Sequence, residues 1–303
     1  LSLFSILIGL SLGWGLPACF SYLSDRTTIE ERGRVSGLLQ LVVFLLVLFL
    51  IVLPKSYGVD LQMAIYASII TRALTLLIPI LIEETNPKTQ IQYTQIIRTR
   101  KNLLYIFPWI IYSICNSLLM FVEQGIPESP IYDDVWSIGP ILFFLATCIF
   151  GVVSGYMADR YGRKLPLIIG FISLGTAFAF VGISLSPSNI LMLYLFQGVA
   201  WGFILVCFQW IIMGDLAATY RSEKYYALNL MVPPIIEAFF LRLRSIFQPT
   251  VSPNLIASIL SIIMFISVLP LLIAPETLPE ELIQDRRFKD YVRKVMEIVE
   301  NSD

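Results

Sequence analysis

The residues of this chain best suited to chemistry form one string, Gly155-Tyr-Met-Ala-Asp159-Arg160-Tyr-Gly162-Arg163-Lys164. It places one carboxylate and three cations between two long apolar runs. Such a string offers recognition rather than covalent chemistry. Asp159 can accept hydrogen bonds from the open amides of a helix N-terminus, where the helix dipole favours an anion. Arg160 and Arg163 can bridge to carboxylates of an opposing loop. Acidic residues that such arginines could meet include Asp25, Glu30 and Glu31, in a short stretch that also carries Arg34 between two apolar runs. Gly155 lets a neighbouring helix approach closely, and Gly162 permits the positive φ of a tight turn. Contacts of this kind exist only while two parts of the molecule are closed on each other, so they bias a conformational equilibrium. Read for charge alone, the loop would be a topology signal.

Polar groups inside apolar runs are the second set. Glu237 lies mid-run after Pro233-Pro234. The prolines remove backbone donors and are expected to break the helix there. A carboxylate beside such a break can bind a proton, a cation or a cationic solute; alternatively it pairs with Arg242 or Arg244. Gln197 and Trp201 are four residues apart and share a helix face, as do Gly198 and Gly202. One face could pack while the other presents an amide and an indole, groups that suit a neutral polar or amphipathic solute. Arg72 is expected to snorkel or pair structurally.

The elements that must position these groups follow from composition. The chain has 303 residues, 57% hydrophobic and 14% charged, against roughly 25% charged in soluble domains. The net charge of −1 gives no field for nucleic acid. Histidine is absent, which excludes His bases, His metal ligands and Ser-His-Asp triads. Cys19, Cys115, Cys148 and Cys207 lie in apolar runs without metal or disulfide spacing. No GxxxxGK[ST] is present, and neither a cofactor nor a metal is expected.

A bilayer core needs about 20 apolar residues per helix. Nine segments qualify, near 1–23, 35–53, 61–82, 103–122, 135–157, 165–185, 190–213, 226–247 and 255–274. Alternating them across a membrane sorts 17 of the 21 Lys and Arg to one side, which the positive-inside rule makes cytoplasmic, with the tail after Pro275. Segments one to three repeat as seven to nine at an offset near 190: Gly9 and Gly13 with Gly198 and Gly202, Asp25 with Asp215, Pro79 and Glu84-Thr85 with Pro270 and Glu276-Thr277. A parallel six-helix repeat is a design of secondary transporters.

The 155–164 string resembles the signature G-x-x-x-D-R-x-G-R-[RK] of the major facilitator superfamily, matching every spaced position. In that family it occurs between helices two and three and again between eight and nine; this loop resembles the second copy. The stretch from Ser24 to Arg34 is similar to the family's loop between helices four and five, and Pro275-Glu276-Thr277 to the P-E-T after helix twelve. The resemblance implies an all-α polytopic bundle: nine membrane helices, the last nine of a six-plus-six architecture, with three preceding Leu1. Residues 1–83 would close the N-terminal half, 84–102 link the halves, 103–274 form the C-terminal half and 275–303 a cytoplasmic tail. It implies a secondary transporter, not an enzyme, moving a small solute by alternating access through the cell membrane as a monomer, with a proton or cation as coupling partner. Gly155, Asp159, Arg160, Gly162, Arg163 and Lys164 would gate it, and Trp14, Asn116, Gln197 and Trp201 would line its cavity. The family's helix-four arginine is absent; Ile8 stands in its place. A non-transporting sensor on the same fold, or an inactive fragment, is the alternative.

Overall fold

The computed structural model describes residues 2–57, 89–126, 129–217, 220–246 and 251–300. A chain in hydrocarbon must satisfy its backbone internally, and these residues are helical almost throughout. In order they form α1 (Ser2–Arg26), α2 (Arg32–Tyr57), α3 (Tyr93–Arg98), α4 (Arg100–Glu123), α5 (Asp133–Tyr161), α6 (Lys164–Ile183), α7 (Pro187–Leu205), α8 (Met213–Ala217), α9 (Glu223–Ile246), α10 (Pro253–Ile266), α11 (Val268–Ile273) and α12 (Glu280–Glu300). Among the described residues, seven helical stretches are long and apolar enough to cross a membrane. The expected first segment forms α1. The expected third, with Arg72, lies outside the described residues.

α5 packs on α7, α7 on α6, and α6 on α10, while α4 packs on α9 and α10. α2 lies along α5, and α1 against α9 and α8. The core is aromatic: Trp109 stacks on Tyr112 at 5.1 Å and tilts against Phe208 at 5.1 Å, and Phe20 meets Trp210 edge-on at 4.4 Å. Of the stretch that would link two halves, the structure describes residues 89–102. Thr89 bridges Tyr220 in parallel, and Lys224 donates to the Ile91 carbonyl at 2.7 Å.

Two backbone features depart from the sequence reading. Pro233 and Pro234 do not break α9, which runs continuously through both. Pro233 has no N–H for the carbonyl of Asn229 four residues back. Trp109 on α4 supplies the missing donor, its Nε1 donating to the Asn229 carbonyl at 2.9 Å. The second feature is a π-helical stretch, Val206–Ile212, between α7 and α8. The wide turn loosens the carbonyl ladder, and α9 helps fill it: Asn229 Nδ2 donates to the Phe208 carbonyl at 2.9 Å, and Tyr226 Oη to that of Trp210 at 2.8 Å. Trp109→Phe keeps the packing but strands the Asn229 carbonyl. The expected cost is about 1–3 kcal/mol, read as a lowered unfolding midpoint in detergent; an unshifted midpoint would show that the proline gap needs no donor.

Candidate functional site: a charged closure and a polar cavity

The 155–164 string sits where α5 ends and α6 begins, facing the N-terminus of α2. α2 starts at Arg32, three residues ahead of the position read from the sequence. Asp159, 3% exposed, accepts from the Gly33 amide at 2.8 Å and the Arg34 amide at 2.9 Å, with Arg34 Nε at 3.3 Å. The carboxylate therefore caps a helix more than 120 residues earlier in the chain, with the helix dipole reinforcing the bonds. The approach is close because two glycines meet. A Cβ on Gly155 would overlap the Gly33 carbonyl, and one on Gly33 would overlap Asp159. Gly162 ends α5 at φ 98°, a left-handed geometry that L side chains avoid.

Arg163 is fully buried. Its guanidinium spreads three ways: to Asp159 at 2.7 Å, to Asp215 at 3.1 Å and to the Ile29 carbonyl at 2.6 Å. Burial opposes its charge, but Asp215 and Asp159 outweigh that and hold its pKa above the ordinary arginine value. Asp215, on α8, also takes Arg32, and Thr277 Oγ1 at 3.3 Å. Arg32 in turn donates to the Ser24 carbonyl at 2.8 Å. Acids and bases thus alternate, Arg32–Asp215–Arg163–Asp159–Arg34, from the first turn of α2 through α8 and the end of α5 back to α2, with Arg34 at the exposed end.

A second carboxylate does for α6 what Asp159 does for α2. Glu276 accepts from the amides of Arg163 at 2.8 Å and Lys164 at 3.2 Å. Lys164 Nζ donates to the Leu272 carbonyl at 2.9 Å.

Of the carboxylates read as candidates for Arg160 and Arg163, Glu30 and Glu31 are seen with other groups. Arg163 takes Asp159 and Asp215. Glu30 pairs with Arg286 at 3.4 Å. Glu31 accepts from the Thr28 amide at 3.1 Å, which holds its carboxyl below the usual carboxylate range. Arg160 lies over Tyr161 at 5.5 Å and donates to Tyr156 Oη at 3.1 Å. Asp25 is half-buried on the last turn of α1 and has interaction partners of its own. Asp215, Arg32, Glu276 and Arg286 were missed as site residues. One signal was present for Asp215, a carboxylate just past an apolar run, matched to Asp25 by the repeat.

Residues 1–232 match the Major Facilitator Superfamily. The chain belongs to that superfamily. No curated protein matches it. It is a multi-pass membrane protein with a transporter-type fold. Among the described residues, no group of three or more His, Cys, Asp or Glu is placed to hold a metal ion.

This superfamily member also has a cavity of about 240 Å³ between α4, α7 and α9. Asn116 and Gln197 line it with Glu123 and Glu237, and Met120 and Leu241 supply apolar wall. Three residues singled out from the sequence, Asn116, Gln197 and Glu237, thus meet in one place. Asn116 Oδ1 is buried and lacks a partner among the described residues. Trp201 is not in the lining: its ring meets Phe143 edge-on at 5.1 Å. Trp14 lies on α1, and its side chain is outside the described residues.

Proposed function

We infer that this chain works as a secondary active transporter that moves a small solute by alternating access. The observation that carries this reading is the cap of Asp159 on α2. It joins segments far apart in sequence through bonds that rigid-body separation would break, as a gate must. In this reading residues 1–83 and 103–274 belong to two halves, 84–102 link them and 275–303 form the tail. α1 onward then corresponds to family helices four to twelve. The Lys and Arg bias supports placing the closed end and the tail in the cytoplasm, so the conformation is closed on that side. The cavity between α4, α7 and α9 is the proposed solute site. Its amides and carboxylates suit a polar solute with hydrogen-bond donors. Glu237 is the proposed point of proton or cation coupling.

Asp159→Asn tests the gate. Weakening charge-assisted bonds worth about 1.5–3 kcal/mol each should move the closed-to-open ratio roughly ten- to a hundredfold. Ser36, fully buried on α2, is the reporter. In a Cys19→Ser background, Ser36→Cys should react faster with a water-soluble maleimide once Asp159 is changed. Saturable counterflow in proteoliposomes, measured across a panel of solutes, should fall with it. Unchanged labelling removes the gate role; absent counterflow for every solute tested, with labelling still changed, favours a sensor. Glu237→Gln should alter the pH or cation dependence of counterflow, and an identical profile excludes Glu237 from coupling.

A further inference from the structure

α12 begins only six residues after α11 ends. A six-residue connection spans roughly 20 Å at most, so its start stays close to the end of a membrane-length stretch. Its first turns are pinned there. Ile283 is buried against Gly162. Arg286 donates to the Asp159 carbonyl, and to Glu30 at its carbonyl, 3.2 Å, and Oε2, 3.4 Å. Past Arg286 the helix presents a bare apolar face. Phe288, Tyr291, Val295 and Met296 fall at i, i+3, i+7 and i+8, one stripe, and are 66%, 66%, 41% and 60% exposed.

Charge follows the same geometry. Residues 286–296 hold five basic residues and one acidic. At 3.6 residues per turn, positions 289 and 293 fall along one edge of the stripe and positions 287 and 294 along the other, while 290 and 297 fall at the back. All four edge positions are Lys or Arg, and both back positions are acidic. Lys289 is held by Asp285 at 2.7 Å, an exposed pair of the kind that exchanges readily with other partners.

We propose that this face of α12 docks on an anionic bilayer surface. The stripe enters the boundary between headgroups and acyl chains, and the flanking cations meet anionic headgroups. A second copy is a poorer occupant, because two such faces would set cation against cation. The docked helix would also hold Arg286 on Asp159 and Glu30, tying lipid composition to the closed end.

The test uses the full chain in nanodiscs, with Met296→Cys in the Cys19→Ser background carrying a polarity-sensitive fluorophore. With phosphatidylglycerol present, emission should shift to the blue and be quenched by brominated acyl chains. Both effects should be lost in phosphatidylcholine alone, at high salt, and in the R287Q/K289Q/R293Q/K294Q variant. They should persist in R287K/R293K, which keeps the charge and controls for misfolding. Water-like emission in both disc types overturns the proposal. So does a blue shift that ignores lipid charge and the four substitutions. A shift that depends on protein concentration in lipid-free detergent also overturns it and assigns the face to a second copy.

Discussion

Arg163→Gln is expected to destabilise the chain by about 3–5 kcal/mol, the cost of removing one partner from a buried ion pair. The substitution strands more than one group. Asp159 and Asp215 both lose a cation inside the protein, and the Ile29 carbonyl loses its donor at 2.6 Å. Glutamine can replace one of those bonds and none of the charge. Unfolding in detergent should show a lowered midpoint, and Ser36→Cys should become reactive well below it, because the closed end loosens first. Arg163→Lys should recover part of the stability at most. Lysine brings the charge but cannot aim donors along the three directions that Nε, Nη1 and Nη2 take here. A Gln variant as stable as its parent would mean that the buried acids find other partners.

Gly155→Val is expected to give a chain that folds but does not close. The new Cβ would fall on the Gly33 carbonyl, which is backbone and cannot rotate away, so α2 and α5 must separate. Overpacking of this kind costs about 1–3 kcal/mol. Separation further weakens the Asp159 bonds to Gly33 and Arg34, 2.8 and 2.9 Å in the closed form, at about 1.5–3 kcal/mol each. Conformational equilibria of this type span a few kcal/mol, so the combined effect should place most molecules in the open form. Maleimide labelling at Ser36→Cys should approach completion while the unfolding midpoint moves little, and counterflow should be lost. Gly155→Ala carries the same overlap and should do nearly as much. Parental labelling in both variants would show that contact between the two glycines is not what sets closure.

Much of this was legible in the sequence for identifiable reasons. The apolar runs were readable because a bilayer of fixed thickness sets helix length. Gly155, Asp159 and Gly162 were readable because neither a packing surface nor a topology signal needs those types at that spacing. Asp215 and Glu276 stayed hidden because their meaning lies in partners 52 and 113 residues away, and helix ends rotate such groups inward without a local mark. That Arg163 reaches Asp159 and Asp215 stayed hidden for the same reason. The Pro233-Pro234 pair was misread because proline's local rule assumes that no other donor arrives, and here Trp109 does. The π-helical stretch left no trace in residue type at all.

Asn229 has a mechanical consequence. Its carbonyl takes the α4 indole, and its amide nitrogen holds the π-helical stretch that continues α7. Asn229 itself stands on α9. The same three helices carry Asn116, Gln197 and Glu237 into the cavity. One residue therefore ties together the three walls that a solute would touch. A push on any one wall is shared among all three, so the cavity behaves as a stiff frame rather than as three independent rods. In the proposed transport cycle, motion that admits or releases a solute would then fall on the joints outside the frame, and the seam between α2 and α5 is the joint with no side chain between its glycines.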